Sequence, residues 1–148
     1  MPNGPERMTK PEPPLLLDTC AVIWLSQGVG VSAAAENAIE EARRSGNGIR
    51  VSVMTAWELG MLVAKGRLPA SMPADRWFEE FVRVAGVTVE AVTPTILVAA
   101  SFLPGSVHGD PMDRILIASA RERGLTVLTR DRAILAYGAA GHVRAIAC

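Results

Sequence analysis

Cysteine is scarce in this chain. Cys20 and Cys148 are the only two in 148 residues, too few for a disulfide framework or a thiolate metal site, so a reduced interior is expected. Histidine is equally sparse, and neither His108 nor His142 stands at a zinc-ligand spacing. No charge sign dominates: Lys+Arg and Asp+Glu both number 15. That removes the overall basicity common in nucleic-acid binders while leaving room for a local basic face. Lysine is nearly missing, since thirteen of the fifteen basic residues are arginine, the side chain better suited to bidentate phosphate contact. The first fourteen residues, rich in proline and charge, hold no apolar core of a secretory signal. Met8 is a candidate start, with the residues before it an upstream extension. The apolar run over 15–25 is too short to span a bilayer and contains Asp18. A soluble, cytoplasmic protein without membrane contact is expected. No Gly-x-x-x-x-Gly-Lys loop exists, which excludes nucleotide hydrolysis of that type.

What is present describes one packed domain. Apolar residues make up 49% of the chain and charged residues 20%, the balance of a globular fold with a core. After a flexible lead over 1–13, a single domain is expected over 14–148. Short apolar runs at 15–17, 49–53, 87–92, 126–128 and 143–147 read as strands. Helical stretches separate them, at 20–26, 33–44, 54–65, 75–84, 94–101, 111–123 and 131 to about 136. Ser32 is a candidate cap, and Gly46-Asn47-Gly48, Gly66, Gly86 and Gly124 mark stops. Alternation of this kind predicts a three-layer α/β/α sandwich around a central, mostly parallel sheet. In such sheets the functional edge lies at the carboxyl ends of the strands.

Aspartate gathers at that edge. Four of the five aspartates, Asp18, Asp110, Asp113 and Asp131, sit where an apolar strand ends or a helix begins. Helix capping explains some of this, because an Asp oxygen accepts from the free N–H groups of a first turn. Asp110 fits that role best: Pro111 follows at the first helical position, and Asp113 falls near the positive helix end. Asp18 and Asp131 are open to either reading. Asp18, though, follows an unbroken Leu15-Leu16-Leu17 run, so its carboxylate emerges from the buried sheet centre.

Glu58 has no capping role. In Val53-Met54-Thr55-Ala56-Trp57-Glu58-Leu59-Gly60-Met61-Leu62-Val63-Ala64 it shares a helical face with Met54, Met61 and Leu62. A lone carboxylate buried there costs several kcal/mol or takes up a proton. Either a cation holds it, or the face is more open than it looks. Hard carboxylate oxygens without imidazole or thiolate suit Mg²⁺ or Mn²⁺ rather than zinc. Thr19 and Thr129 stand beside the acids and can orient a carboxylate or a metal-bound water, or simply bond the backbone. His108, in the loop over 104–109, is a candidate phosphate contact or a plain loop histidine. Five arginines (Arg114, Arg121, Arg123, Arg130, Arg132) fall within the same stretch as the later acids; phosphate contacts and solvated helix faces both account for them.

Four segments in register carry a family resemblance. These are Leu15-Leu16-Leu17-Asp18-Thr19; Trp57-Glu58-Leu59 with Lys65-Gly66-Arg67-Leu68; Asp110-Pro111-Met112-Asp113-Arg114-Ile115-Leu116-Ile117-Ala118; and Leu125-Thr126-Val127-Leu128-Thr129-Arg130-Asp131. Together, over residues 15 to about 147, they resemble the PIN-domain fold, and within it the VapC-type ribonuclease toxins of bacterial toxin–antitoxin pairs. The resemblance implies an endoribonuclease that uses Mg²⁺ or Mn²⁺ and a metal-activated water attacking in line, leaving a 5′-phosphate and a 3′-hydroxyl. It implies Asp18, Glu58 and Asp113 as the core acids, catalytic and metal-binding, with Asp131 completing the cluster. Thr19, Thr129, Asp110 and Arg114 are supporting candidates. Position 20 is cysteine where many members have histidine, so no role carries over there. The implied partners are RNA, a small antitoxin protein whose C-terminal segment lies in the acidic groove, and a second copy of the chain, with a higher assembly including the antitoxin. The apolar stretches around Trp57-Leu59-Met61-Leu62-Val63 and Trp77-Phe78-Phe81 are either interfaces or core.

Two other readings stay open. A non-catalytic PIN-like module that binds RNA or protein is one, although such modules typically lack some of the acids. Another Mg²⁺-dependent α/β phosphohydrolase is the second. A haloacid-dehalogenase-like enzyme needs an aspartate two residues after its nucleophile, and position 20 here is cysteine.

Overall fold

A computed structural model describes residues 13–46, 48–107 and 109–148. Apart from Pro13, the lead expected over 1–13 lies outside the described residues, as do Met8, Asn47 and His108. Elements run in the order β1 (Leu15–Leu17), α1 (Thr19–Ser26), α2 (Ala33–Ser45), β2 (Ile49–Ser52), α3 (Val53–Ala64), α4 (Ala74–Ala85), β3 (Thr88–Glu90), α5 (Pro94–Ser101), α6 (Pro111–Arg123), β4 (Thr126–Thr129), α7 (Arg132–Ala139) and β5 (Arg144–Ala147). The expected elements all form. Two differ clearly from their expected bounds: β3 is shorter than the expected 87–92, and α7 continues past the expected end near 136 and through Gly138. An added Cβ at Gly138 would meet the Ala145 Cβ at 3.1 Å, so a bare α-carbon lets the helix lie close on β5.

Five strands form one sheet in the order β3-β2-β1-β4-β5, and every pairing is parallel. Strand alternation sends the two sides of β1 into separate cores. Leu15 and Leu17, with Ile49, Val51 and Leu128, pack against Ala21 and Val22 of α1, Ala35 of α2, Leu59 of α3 and Phe81 of α4. Leu16 and Val127 face the other way, onto Leu116 and Ile117 of α6 and Ile134 and Tyr137 of α7. Helix α5 joins that second layer through Ile96 and Ala100 against Ala118. The result is the expected α/β/α sandwich. Leu16 and Leu17 are almost wholly buried, each worth roughly 1.5–3 kcal/mol relative to exposure.

Local signals set the helix ends. Ser32 caps α2 at the Ala35 amide, 3.1 Å away, and its hydroxyl also donates to the Ala147 carbonyl at 2.8 Å, tying β5 to that helix start. Gly124, at φ 65°, ends α6 in the left-handed region that other residues resist. Because β2 and β3 extend the sheet on one side of β1 and β4 and β5 on the other, the chain reverses strand order at the β1–β4 pair. Ligand crevices of open α/β sheets form beyond the strand ends at such a point.

Candidate functional site

Asp18 stands at that point. It occupies the N-cap position of α1 (φ −65°, ψ 153°) yet makes no side-chain cap hydrogen bond. Instead, the Thr129 hydroxyl at the end of β4 donates to Asp18 Oδ2 at 2.6 Å. The Asp131 amide donates to the same Thr129 oxygen at 2.9 Å. The carboxylate is 7% exposed, and burial raises its pKa; the Thr129 hydrogen bond and the amides of Thr19 and Cys20 pull the other way.

Glu58 comes in from α3 on the β2 side. Thr19 Oγ1 donates to Glu58 Oε2 at 2.8 Å and lies 3.1 Å from Thr55 Oγ1. A hydroxyl has one proton to give, so the relay runs from Thr55 to Thr19 to Glu58. The face around Glu58 is more open than its apolar neighbours suggest, since the side chain is only half-buried. Burial is still the largest influence, raising its pKa, with Asp18 and Asp110 adding to the rise. Thr55 is a site residue that the sequence reading missed. It lies three positions before Glu58, on the same helical face, but that spacing does not reveal its contact with Thr19.

Asp113 is brought in by the first turn of α6. The turn is started by Asp110, whose carboxylate accepts from the Met112 and Asp113 amides at 2.9 and 3.2 Å; Asp110 is thus the helix cap its sequence suggests. Burial first, and then the charges of Asp110, Asp131, Asp18 and Glu58, together lift the Asp113 pKa to about 7. Asp131 caps α7 through the Ile134 amide at 3.0 Å, using Oδ1, which leaves Oδ2 outside the cap. Arg114, adjacent to Asp113, is held by backbone carbonyls. Its Nε donates to the Ala100 carbonyl at 2.9 Å and its NH2 to Ser101 at 3.5 Å, closing the C-terminus of α5.

Asp18, Glu58 and Asp113, with Thr19, Ser52 and Thr55, line a narrow cleft of about 10 Å³, room on the order of one water molecule. Among the described residues, no three acidic, histidine or cysteine side chains stand close enough to form a ready-made metal cage, and Asp131 does not line the cleft. A larger apolar cavity of about 450 Å³, lined by Leu25, Ile39, Trp77 and Phe81 among others, contains none of the four acids. Three of the four candidate acids meet in the small cleft instead. Cys20 also lies within the cluster's field: burial, then Asp18, Glu58, Asp113 and Asp131, drive its thiol pKa to about 11, so it stays a neutral thiol.

The donor set fits a hard divalent cation. Among the described residues, no basic side chain is paired with Asp18 or Glu58. Carboxylates that raise one another's pKa in a partly buried cleft are relieved by a cation with oxygen preference. Asp18, Glu58, Asp113 and the second oxygen of Asp131 are the groups that would hold it.

Residues 15–139 match the family described as PIN domain. Over 127 residues the chain is 32% identical to Ribonuclease VapC22 of Mycobacterium tuberculosis, covering 83% of this chain and 91% of that one. Its structure is similar to that of VapBC2 from Rickettsia felis bound to a DNA fragment from their promoter, with a TM-score of 0.64 at 13% identity, covering 90% and 98% of the two chains. FitAcB from Neisseria gonorrhoeae is similar too, with a TM-score of 0.56 at 21% identity over 89% and 96%.

Proposed function

The chain belongs to the PIN-domain family, and on that premise we propose that it is a metal-dependent endoribonuclease of the VapC type, the toxin of a toxin–antitoxin pair. The observation that carries the reading is the placement of Asp18. A nearly buried carboxylate stands at the strand-order reversal, oriented by Thr129 rather than spent on a cap, with Glu58 and Asp113 lining the same cleft.

Asp18, Glu58, Asp113 and Asp131 would hold Mg²⁺ or Mn²⁺. When bound, such an ion lowers the pKa of a coordinated water and neutralises charge on the attacked phosphate. The chain's own residues supply positioning. Thr129 fixes Asp18, the Thr55–Thr19 relay fixes Glu58, and the Asp110 cap fixes the turn that carries Asp113. Pre-set acids need little reorganisation when charge develops at phosphorus.

Partners follow from the same reading: RNA as substrate, a small antitoxin, and a second copy of this chain. The apolar cavity beside α1, α2 and α4 supports a protein partner that buries apolar side chains. Exposed Leu97, Val98 and Phe102 on and beside α5 support self-association. Among the described residues no helix is long and apolar enough to cross a membrane, and the toxin reading puts the protein in the cytoplasm. The deciding experiment incubates the purified chain with assorted RNAs, with Mg²⁺, with Mn²⁺ and with chelator. Cleavage that needs the metal and is lost in Asp18→Asn and Asp113→Asn is expected. Cleavage undiminished in either variant would sink the assignment.

A further inference from the structure

An acidic cluster repels RNA, and a chain of zero net charge has no general field to offset that repulsion. Basic side chains beside the cleft therefore matter, and the fold sorts the five arginines of the acidic stretch. Arg114 is bound to the carbonyls of Ala100 and Ser101. Arg121 is bound to the carbonyl of His142. Arg123 is paired with Glu90. Arg130 and Arg132, which flank Asp131, are both exposed and, like Arg114 and Arg121, make no ion pair among the described residues; what sets Arg130 apart is its stacking on an aromatic ring.

Arg130 is also held in place. Its guanidinium carbon lies 3.7 Å from the centroid of the Trp24 ring, and its NH2 donates to the Gly30 carbonyl at 3.0 Å. Trp24 and Gly30 are uncharged, and the Cys148 side chain, which Arg130 also hydrogen-bonds, is a thiol whose pKa burial raises, so the positive charge is oriented without being neutralised. The backbone that carries it is tied to the site. The next amide, Asp131 N–H, bonds the Thr129 oxygen that orients Asp18. A planar guanidinium fixed in advance loses little freedom on meeting a phosphate and offers it a fork of donors.

We infer that Arg130, stacked on Trp24, is the residue that docks the RNA backbone beside the carboxylate cleft, through a phosphate oxygen of the single strand. This rests on the ribonuclease reading and adds a substrate-binding residue to it. The alternative is a mere tether, in which Arg130 only pins the segment between α1 and α2 to the end of β4.

The test uses the full chain carrying Asp113→Asn, so that a fluorescent single-stranded RNA cut by the parent is bound without being cut. Anisotropy is followed from about 50 to about 200 mM salt. Arg130→Gln is expected to weaken binding about 5- to 20-fold and to reduce the slope of log affinity against log salt by about 0.7–1, one phosphate contact. Arg130→Lys should restore the slope but not the full affinity. Trp24→Leu should weaken binding a few-fold with the slope kept. In the cleaving chain, the Arg130→Gln loss should fall on KM. Parent-like affinity and slope in Arg130→Gln, with metal-dependent cleavage by the parent intact, would overturn this inference alone. Weaker binding with an unchanged slope would also overturn it, in favour of the tether. A parent that neither binds nor cleaves RNA would overturn the ribonuclease reading and this inference with it.

Discussion

Thr129 Oγ1 donates a 2.6 Å hydrogen bond to Asp18 Oδ2, joining the ends of β1 and β4 across 111 residues of sequence. Both side chains are buried, so nothing else, water included, readily replaces the hydroxyl. Thr129→Val keeps the shape and removes the donor, freeing Asp18 to rotate and leaving the Asp131 amide without its acceptor. Mn²⁺ affinity, measured by calorimetry, should fall about 10- to 100-fold, as when the partner of a metal ligand is lost. Stability toward urea should drop by about 1–3 kcal/mol. Thr129→Ser should recover most of both. A valine variant with parent affinity would show that Asp18 does not depend on this bond.

The acids also set a pH dependence for the metal-free chain. Asp113 has its pKa raised from 3.8 to about 7, first by burial and then by its neighbouring carboxylates; Asp18 and Glu58 shift in the same direction. The folded state therefore holds protons that the unfolded chain has released. The stability contributed by these groups is complete below about pH 4 and is lost as pH rises through about 7. Each pH unit between the two values is worth at most about 1.4 kcal/mol. Asp113 is half-exposed and screened, so a total loss on the order of 1–2 kcal/mol between about pH 5 and about pH 8 is expected in chelator. Urea midpoints across that range should fall in the parent and flatten in Asp113→Asn. Because metal and proton compete for the same oxygens, Mn²⁺ affinity should rise over the same window. A midpoint that rises with pH in chelator would refute this.

Strand and helix order was legible because its cues are local: apolar runs, Ser32, Asp110-Pro111, and glycines at helix ends. Asp18 and Asp113 were legible as well, through their positions after an Leu-Leu-Leu run and behind a capping Asp-Pro. What stayed hidden depends on which side chains meet across the fold. Nothing local to Thr55 tells that its hydroxyl reaches Thr19. Nothing in the stretch from Arg114 to Arg132 separates the arginines held by carbonyls alone from the one also stacked on Trp24. The types of Glu58's neighbours leave open whether a cation holds it or its face is exposed, and only the fold gives its half-open position at the cleft. Glu90, in a short strand of ordinary composition, gave no sign that two arginines converge on it.

Phe102, just past α5, is 80% exposed, Val98 is 59% exposed and Leu97 is 45% exposed. Single exposed apolar residues need no explanation, but three on and beside one short helix form a patch of the kind that interfaces cover. If a second copy covers it, Phe102→Glu places a charge in an apolar contact. The dimer dissociation constant from sedimentation should then rise at least about tenfold, while circular dichroism stays unchanged. A parent that is monomeric at all concentrations, or a variant that dimerises equally well, would remove this patch from the interface.

Glu90 offers a separation of stability from chemistry. Its side chain is 7% exposed and receives Arg50 from β2 and Arg123 from the end of α6. The three therefore tie β3, β2 and α6 together away from the acids that line the cleft. A buried carboxylate is costly to desolvate, so the trio adds less than its contacts suggest, but removing one partner leaves like charges facing each other. Both arginines are partly exposed and can turn to solvent, which softens the loss. Glu90→Ala should cost about 2–4 kcal/mol in urea unfolding, whereas Glu90→Gln, which still accepts hydrogen bonds, should cost less. The rate of metal-dependent RNA cleavage per folded molecule should stand within about twofold of the parent, since Glu90, Arg50 and Arg123 do not line the cleft. A large loss of rate in a variant that remains folded would instead mean that the Arg50–Glu90–Arg123 link sets the position of α6, and with it Asp113.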